Sequence, residues 1–238
     1  MLFRHGLQHS EDSIRLLESL TTVIKVDFHS HSSESPDGGI RTYQYGKIIE
    51  SGLLDCIAVT DHNSLTLALE LAAKYPGKII VGEEVMTSEG EIIGLFLSEK
   101  IMAGQSPEET VAKIKAQGGL VYIPHPFETV RHGITVEALD RISSQVDIVE
   151  VQNGRAFFQN CGPEAVIWAT KNKVAMAASS DAHGHKGVGT TYTEIQAIPT
   201  VDNLVDLLKA ANLVTDRPPI RTLLYPKGHR LRKRFIKS

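Results

Sequence analysis

The sequence predicts an α/β fold built on a parallel sheet with helices on both of its faces. Two observations carry this. Short, nearly continuous apolar runs such as CIAV (56–59), IIGLFL (92–97) and LVYI (120–123) alternate with segments of helical periodicity along most of the 238 residues. Strands buried on both faces read as unbroken apolar runs rather than alternating ones. The second observation is that histidines and carboxylates fall directly after these runs. The carboxyl edge of a parallel sheet is where α/β folds bind ligands. An open doubly wound sheet and a closed barrel both satisfy the pattern. Neither a Gly-x-Gly-x-x-Gly after the first strand nor a Walker loop occurs, which disfavours the nucleotide-binding variants.

Taken in order, Ser10-Glu11-Asp12 opens a helix that reaches Leu20. Val23–Phe28 reads as a strand. Ile40–Glu50 follows as a helix, with Gly52 at its C′ position. Cys56–Thr60 is a buried strand, and Leu65, Leu69 and Ala72 then recur at helical spacing. Ile79–Val81 and Ile92–Leu97 are strands. Ser106-Pro107-Glu108-Glu109 starts a helix: Ser106 caps, Pro107 suits the first position and Glu109 completes a capping box. That helix stops at Gly118-Gly119. Leu120–Ile123, Ile148–Val151 and Val174–Ala178 are further strands, with helices near 136–143, 162–172 and 201–211 between and after them. TTYTEIQA (190–197) alternates as a strand does. Pro218-Pro219 marks the C-terminal residues beyond Thr215 as an extended tail. The expected organisation is a barrel or sheet unit over 1–215 with its N-terminal helix, and a basic tail over 216–238.

Composition narrows the function classes. Hydrophobic residues make up 42% and charged residues 22%, as in an ordinary globular protein. Two cysteines, Cys56 and Cys161, are too few for a disulfide framework or a four-thiolate zinc site. The longest apolar run is far short of the roughly 20 residues of a membrane span. The first residues lack the apolar core of a signal peptide. These features lead us to expect a cytoplasmic protein with no membrane partner. The chain holds 25 basic and 28 acidic residues, net −3. Eight of the basic residues lie from Arg217 onward with no acidic residue among them, so the remainder carries 17 against 28, net −11. Such a tail can touch nucleic acid or its own acidic body.

Six strand ends carry the polar groups: His29 and His31, Asp61 and His62, Glu83 and Glu84, His125, Glu150 and Asn153, and Asp181, His183 and His185. A single histidine after a strand is ordinarily a loop residue, but five of the ten histidines (His29, His31, His62, His125, His183) gather at this one edge. His-x-His in an extended segment places both imidazoles on one side, and Asp181-x-His183 does the same. Nitrogen and oxygen donors without thiolates suit zinc, manganese or iron, and their number exceeds what one ion needs. His5, His9, His132 and His229 lack this context and are expected at the surface. A Gly-x-Ser-x-Gly elbow is absent, and neither cysteine has the setting of a nucleophile.

At these residues the chain resembles the PHP (polymerase and histidinol phosphatase) family over about residues 25–200. The matching pieces are HSHSSESPDG (29–38), Thr60-Asp61-His62, Gly82-x-Glu84, Pro124-His125-Pro126, Glu150-x-x-Asn153 and Ser180-Asp181-Ala182-His183. The resemblance implies a distorted parallel (β/α) barrel of about seven strand–helix units. It also implies two or three divalent ions (manganese, zinc or iron) that hydrolyse phosphate esters. On it, His29, His31, Glu84 and Asp181 hold one ion, and Glu84 bridges to a second bound by His125. Asp37, His62 and His183 hold a third. Asp61 orients His62 or caps the next helix, and Glu150 and Asn153 stand behind the ligands. Glu91 occupies the position at which many members carry a histidine for the second ion, so it is a ligand candidate and tilts that site toward manganese or iron. Asp181 and His183 are thus central to turnover. Arg131 and Arg155 follow ligand-bearing strands and can clamp phosphate oxygens or form plain ion pairs. His185 can protonate a leaving group or be a bystander. The expected activity is a metal-dependent phosphoesterase on a small phosphorylated metabolite or nucleotide. Alternatives are a nuclease on DNA or RNA ends whose basic tail tracks the backbone, and a metal-binding regulatory module without turnover.

Overall fold

Nine strands form a single sheet in the computed structural model, which describes residues 23–237; the helix expected over 10–20 lies outside them. The strands are β1 (Ile24–Asp27), β2 (Cys56–His62), β3 (Ile79–Thr87), β4 (Gly90–Leu95), β5 (Leu120–Ile123), β6 (Ile148–Asn153), β7 (Ala175–Ser179), β8 (Thr191–Ile195) and β9 (Asn212–Thr215). Their order is β7-β6-β5-β4-β3-β2-β1-β8-β9. The helices are α1 (Thr42–Glu50), α2 (Thr66–Lys74), α3 (Pro107–Ala116), α4 (Val136–Ile142), α5 (Gly162–Asn172), α6 (Leu204–Leu208) and α7 (Tyr225–Lys237).

The sheet curls into a nearly closed barrel, and side chains close the seam. The Thr193 hydroxyl of β8 donates to the Ala178 carbonyl of β7 and accepts from its N–H, both at 2.9 Å. Asp27 at the end of β1 accepts from the Ser180 N–H at 3.0 Å and the Ser180 hydroxyl at 2.5 Å. One backbone bond, His31 N–H to Ala182 carbonyl at 2.9 Å, continues the join above them. The strand C-terminal ends are thereby held in one ring.

The parallel reading holds for β1–β2–β3 and β5–β6–β7. It is corrected at β4, which runs antiparallel to both β3 and β5. Only Ser88 and Glu89 separate β3 from β4, too few for a crossover helix, so the chain turns back as a hairpin. β8 is antiparallel to β1, and β9, which the sequence did not suggest, is antiparallel to β8.

Alternation along the strands sorts the core. Ile24, Val26 and Phe28, Ala58, Ile80, Ile93 and Leu95, Tyr122, Ile148 and Ala177 face one another in a single interior cluster, closed below by Leu204 and Leu208 of α6. A second cluster packs α3, α4 and α5 against the outside of β3–β6, and a third packs α1 and α2 against β2. Helix ends follow the local sequence. The capping box of α3 is complete, with Ser106 Oγ accepting from Glu109 N–H at 3.2 Å and Glu109 Oε2 accepting from Ser106 N–H at 3.0 Å. Gly52 sits after α1 at φ +69°, the left-handed position that favours glycine.

The tail departs from expectation. Instead of running extended it makes a short 3₁₀ turn (Ile220–Leu224) and the 13-residue helix α7. Pro226 stands in the first turn of α7, where its missing N–H costs nothing. Leu, Lys and Arg, good helix formers, fill much of the rest. His229, expected on the surface, is half-buried beside Tyr225, with ring centroids 5.9 Å apart. His132 is exposed as expected. The helix expected over 201–211 shrinks to Leu204–Leu208. Among the described residues no helix is long and apolar enough to cross a membrane.

Candidate metal centre

The interior alternation that builds the core also builds the site. Ile80 and Glu84 share a face of β3, as do Ile93 and Glu91 of β4, and Ile148 and Glu150 of β6. A carboxylate therefore caps each interior column at the end where β1, β2 and β7 deliver their histidines and Asp181. In β3 and β4, Glu84 pairs with Ile93 and Met86 with Glu91, so the hairpin places both carboxylates over the barrel mouth. A register shift between Glu150 and Gln152 lets Glu150 and Asn153 both reach the site from β6. Two site residues adopt left-handed backbone, His125 at φ 27° and Asp181 at φ 50°. Such conformations cost about 1–3 kcal/mol each and persist where the surroundings impose them.

The four side chains assigned to the first ion converge. His29 Nε2 and His31 Nε2 lie 3.0 Å apart, 3.4 and 3.2 Å from Glu84 Oε2, and 3.7 and 3.4 Å from Asp181 Oδ1. Tetrahedral ligands at 2.0–2.1 Å from one ion would stand about 3.3 Å from each other. Glu84 Oε1 lies 3.3 Å from His125 Nε2, and Glu91 Oε2 lies 3.8 Å from the same nitrogen. Glu84 thus presents one oxygen to each set. Asp37 gathers the third set, with Oδ1 3.6 Å from His62 Nε2 and Oδ2 3.5 Å from His183 Nε2. Neither oxygen of Glu84 has a hydrogen-bond partner, although the side chain is 1% exposed. A buried carboxylate without donors is costly unless a cation takes their place. The donor set and its spacing fit metal ions, and these His/Asp/Glu clusters are able to hold them.

Without ions the charges lean on one another. Against the effect of burial, the imidazoles of His62 and His29 hold Glu84 well below the usual carboxylate range. Asp181 is held well below its ordinary value, again against burial, by Arg155 and His29. His31 is pushed up to about 9: the neighbouring carboxylates of Asp181 and Glu84 outweigh burial. Burial, then repulsion from Glu84 and Asp181, pushes Glu91 up to about 10. Burial, Arg155 and His31 push His183 down to about 3. The cluster holds protons that bound cations would replace.

Behind the ligands, Glu150 accepts from the His125 N–H and from Asn153 Nδ2, both at 2.7 Å, and from the Tyr122 hydroxyl at 3.1 Å; its Oε1 lies 3.3 Å from His29 Nδ1. Fixing the distal nitrogen of a ligating histidine sets its tautomer and aim. Arg131 gives four of its five donors to protein: two to Glu128 Oε2, one to Asn153 Oδ1 and one to Asp181 Oδ2. It positions Asp181, and its reading as a phosphate clamp is revised accordingly. Arg155 reaches Asp181 and, at 3.1 Å, His183 Nδ1, while its buried Nε has no partner. Asp61 neither orients His62 nor caps α2 with its side chain. Its carboxylate accepts from the Ser32 N–H and hydroxyl, at 2.6 and 2.5 Å, and pins the loop after β1. His185 is exposed. Sequence reasoning missed Glu128, which is buried against Arg131, and Asp27, which abuts the His-x-His motif it helps hold.

Comparison with known proteins agrees with this geometry. A family model described as PHP-associated matches residues 163–213, from α5 through β9's second residue. Two proteins of Methanocaldococcus jannaschii are clear relatives: Uncharacterized protein MJ1587 is 36% identical over 157 residues (60% of this chain, 92% of that protein), and Uncharacterized protein MJ0417 is 35% identical over 184 residues (74% and 72%). The chain belongs to the PHP family. Among solved structures, this PHP protein matches a two-domain Bacteroides vulgatus protein containing a predicted PHP-like metal-dependent phosphoesterase, with a TM-score of 0.65 and 22% identity over 88% of this chain and 70% of the other. It also matches the lesion-specific endonuclease PfuEndoQ of Pyrococcus furiosus, with a TM-score of 0.60 and 14% identity over 81% and 58%. These likenesses are of fold: a PHP-like barrel.

Proposed function

We propose that this PHP protein is a metal-dependent phosphoesterase that hydrolyses a small phosphate ester, with two or three divalent ions held by His29, His31, Asp37, His62, Glu84, Glu91, His125, Asp181 and His183. The observation that carries the reading is Glu84: buried, without a hydrogen-bond donor, and offering one oxygen to each of two ligand sets. Divalent ions in such a centre neutralise the phosphate, activate water and stabilise the leaving oxygen. The chain's own part is to aim the donors. Glu150 orients His29, Arg131 fixes Asp181, and Arg155 stands beside His183 with an unused donor. No nucleophilic side chain is required. A nuclease reading, with the tail tracking a strand, loses support because Arg230 and Lys233 are bonded to the body of the protein.

Metal analysis and phosphatase assay test the reading together. Purified protein is expected to carry divalent metal, to hydrolyse phenyl phosphate, to lose activity with chelator and to regain it with manganese. Full activity in protein shown to be free of metal would sink the mechanism.

Glu91 sets the character of the second ion. It is 3% exposed, with Oε1 3.4 Å from His62 Nδ1, so it faces the cluster and not solvent. A carboxylate is a harder donor than imidazole and adds charge, which favours manganese or iron over zinc. Glu91→His is expected to shift the zinc-to-manganese affinity ratio toward zinc by about tenfold or more. Competitive metal titration reads this ratio, and an unchanged value would remove Glu91 from the ligand set.

A further inference from the structure

The cavity over the metal centre measures about 700 Å³. Small-molecule sites span roughly 300–1,000 Å³, so there is room for much more than one phosphate. The ligand cluster forms its floor. Its opposite wall is the C-terminal segment, through Ile220, Arg221, Leu224, Lys227 and Arg230, with Phe158 beside them.

That segment is seated on the ligand loops. Arg230 Nη2 donates to Asp37 Oδ2 at 2.6 Å. The Lys233 ammonium donates to the carbonyls of Ser33, Ser35 and Gly38. Two glycines admit its rings. A Cβ on Gly39 would collide with the His229 imidazole, and one on Gly184 would collide with the Tyr225 ring. One of these glycines lies two residues after Asp37 and the other directly after His183. The wall is therefore registered against the centre at both ends of the third ligand set.

Two of the wall's charges are unspent. Arg221 and Lys227 are exposed and line the cavity, and among the described residues neither has an ion-pair or hydrogen-bond partner. This holds on a protein whose remaining residues carry net −11. Lys227 stands one turn before Arg230 and on the same helix face. Ile220, Leu224 and Phe158 line the same cavity and are 71, 65 and 87% exposed.

We propose that the C-terminal segment is the specificity wall of the site. Arg221 and Lys227 bind a second anionic group of the substrate, remote from the phosphate that is hydrolysed, while Ile220, Leu224 and Phe158 cover the apolar part between. The substrate class is a phosphate ester with a carboxylate or second phosphate at its far end. This inference rests on the phosphoesterase reading, and the test separates the two.

Full-length protein loaded with manganese is assayed on phenyl phosphate and 4-carboxyphenyl phosphate, which differ by one anionic group. The wild type is expected to prefer the carboxylated ester in kcat/KM. Arg221→Ala/Lys227→Ala should reduce that preference about tenfold or more, the loss expected when charge-assisted hydrogen bonds are removed. Arg234→Ala, an exposed cation outside the cavity lining, should retain it. Calorimetric binding of phenylphosphonate and 4-carboxyphenylphosphonate gives the same comparison without turnover. A wild type that hydrolyses neither ester contradicts the phosphoesterase reading, and the binding comparison still decides the wall. Absence of a carboxylate advantage in wild-type binding, its persistence in the double variant, or its equal loss in Arg234→Ala overturns the inference.

Discussion

Glu84→Gln is expected to leave the protein folded and to abolish both metal binding and turnover. The amide keeps the shape of the carboxylate, and no hydrogen bond is lost because neither Glu84 oxygen has one. What disappears is the charge that two ligand sets share, at 3.2 Å from His31 Nε2 through one oxygen and 3.3 Å from His125 Nε2 through the other. Turnover should fall by about 10²–10³-fold or more, the order seen when a single group stabilising transition-state charge is removed. Stability supplies an independent readout. A ligand that binds only the native state stabilises it by about 2.7 kcal/mol at a hundredfold excess over its Kd. Wild type should therefore melt higher with manganese than without, and Glu84→Gln should melt at one temperature in both conditions. A variant that keeps the metal-dependent rise would mean that the ions sit elsewhere.

The site was legible in the sequence because its donors are local to strand ends. His29 and His31, His62, His125, and Asp181 and His183 each follow an apolar run, and the structure brings all of them to one mouth. The features that could not be read depend on register and on distant pairing. β4 looked like another parallel strand because its apolar run is continuous; only the two-residue connection to β3 decides its direction. The shift in β6 that brings Glu150 and Asn153 to one site is set by pairing with β7 and leaves no local mark. Asp61 sits beside His62 in sequence, yet its carboxylate serves Ser32, 29 residues earlier. The tail was hidden by composition: Pro218-Pro219 reads as the start of an extended segment. Its helix is held by contacts to Asp37, Gly39 and Gly184 that lie almost 200 residues and about 40 residues away along the chain.

Asp27→Ala should be the most destabilising single change at the barrel seam. The side chain is fully buried, and burial pushes its carboxyl up to about 7. It accepts from three donors, the Ser180 N–H, the Ser180 hydroxyl and the His29 N–H, the last at 3.3 Å. Alanine would leave the two N–H groups buried without an acceptor, at about 1–3 kcal/mol each, and leave the Ser180 hydroxyl only the His29 carbonyl at 3.5 Å. A net loss of about 3 kcal/mol is expected in denaturant unfolding, with the midpoint moving at unchanged slope. Asp27→Asn separates hydrogen bonding from volume. Its carbonyl can still accept from the backbone donors, and the Ser180 hydroxyl can turn to accept from the amide, so most of the stability should return. The seam also carries function, because Ser180 immediately precedes Asp181 and Asp27 lies two residues before His29. Loosening it should raise hydrogen exchange at Ser180 and His31 ahead of the helices outside the barrel, and weaken metal binding in Asp27→Ala but not in Asp27→Asn. A loss under about 1 kcal/mol for the alanine variant, below the cost of even one orphaned donor, would show that the backbone bond from His31 to Ala182 and the Thr193 bridge close the barrel without Asp27.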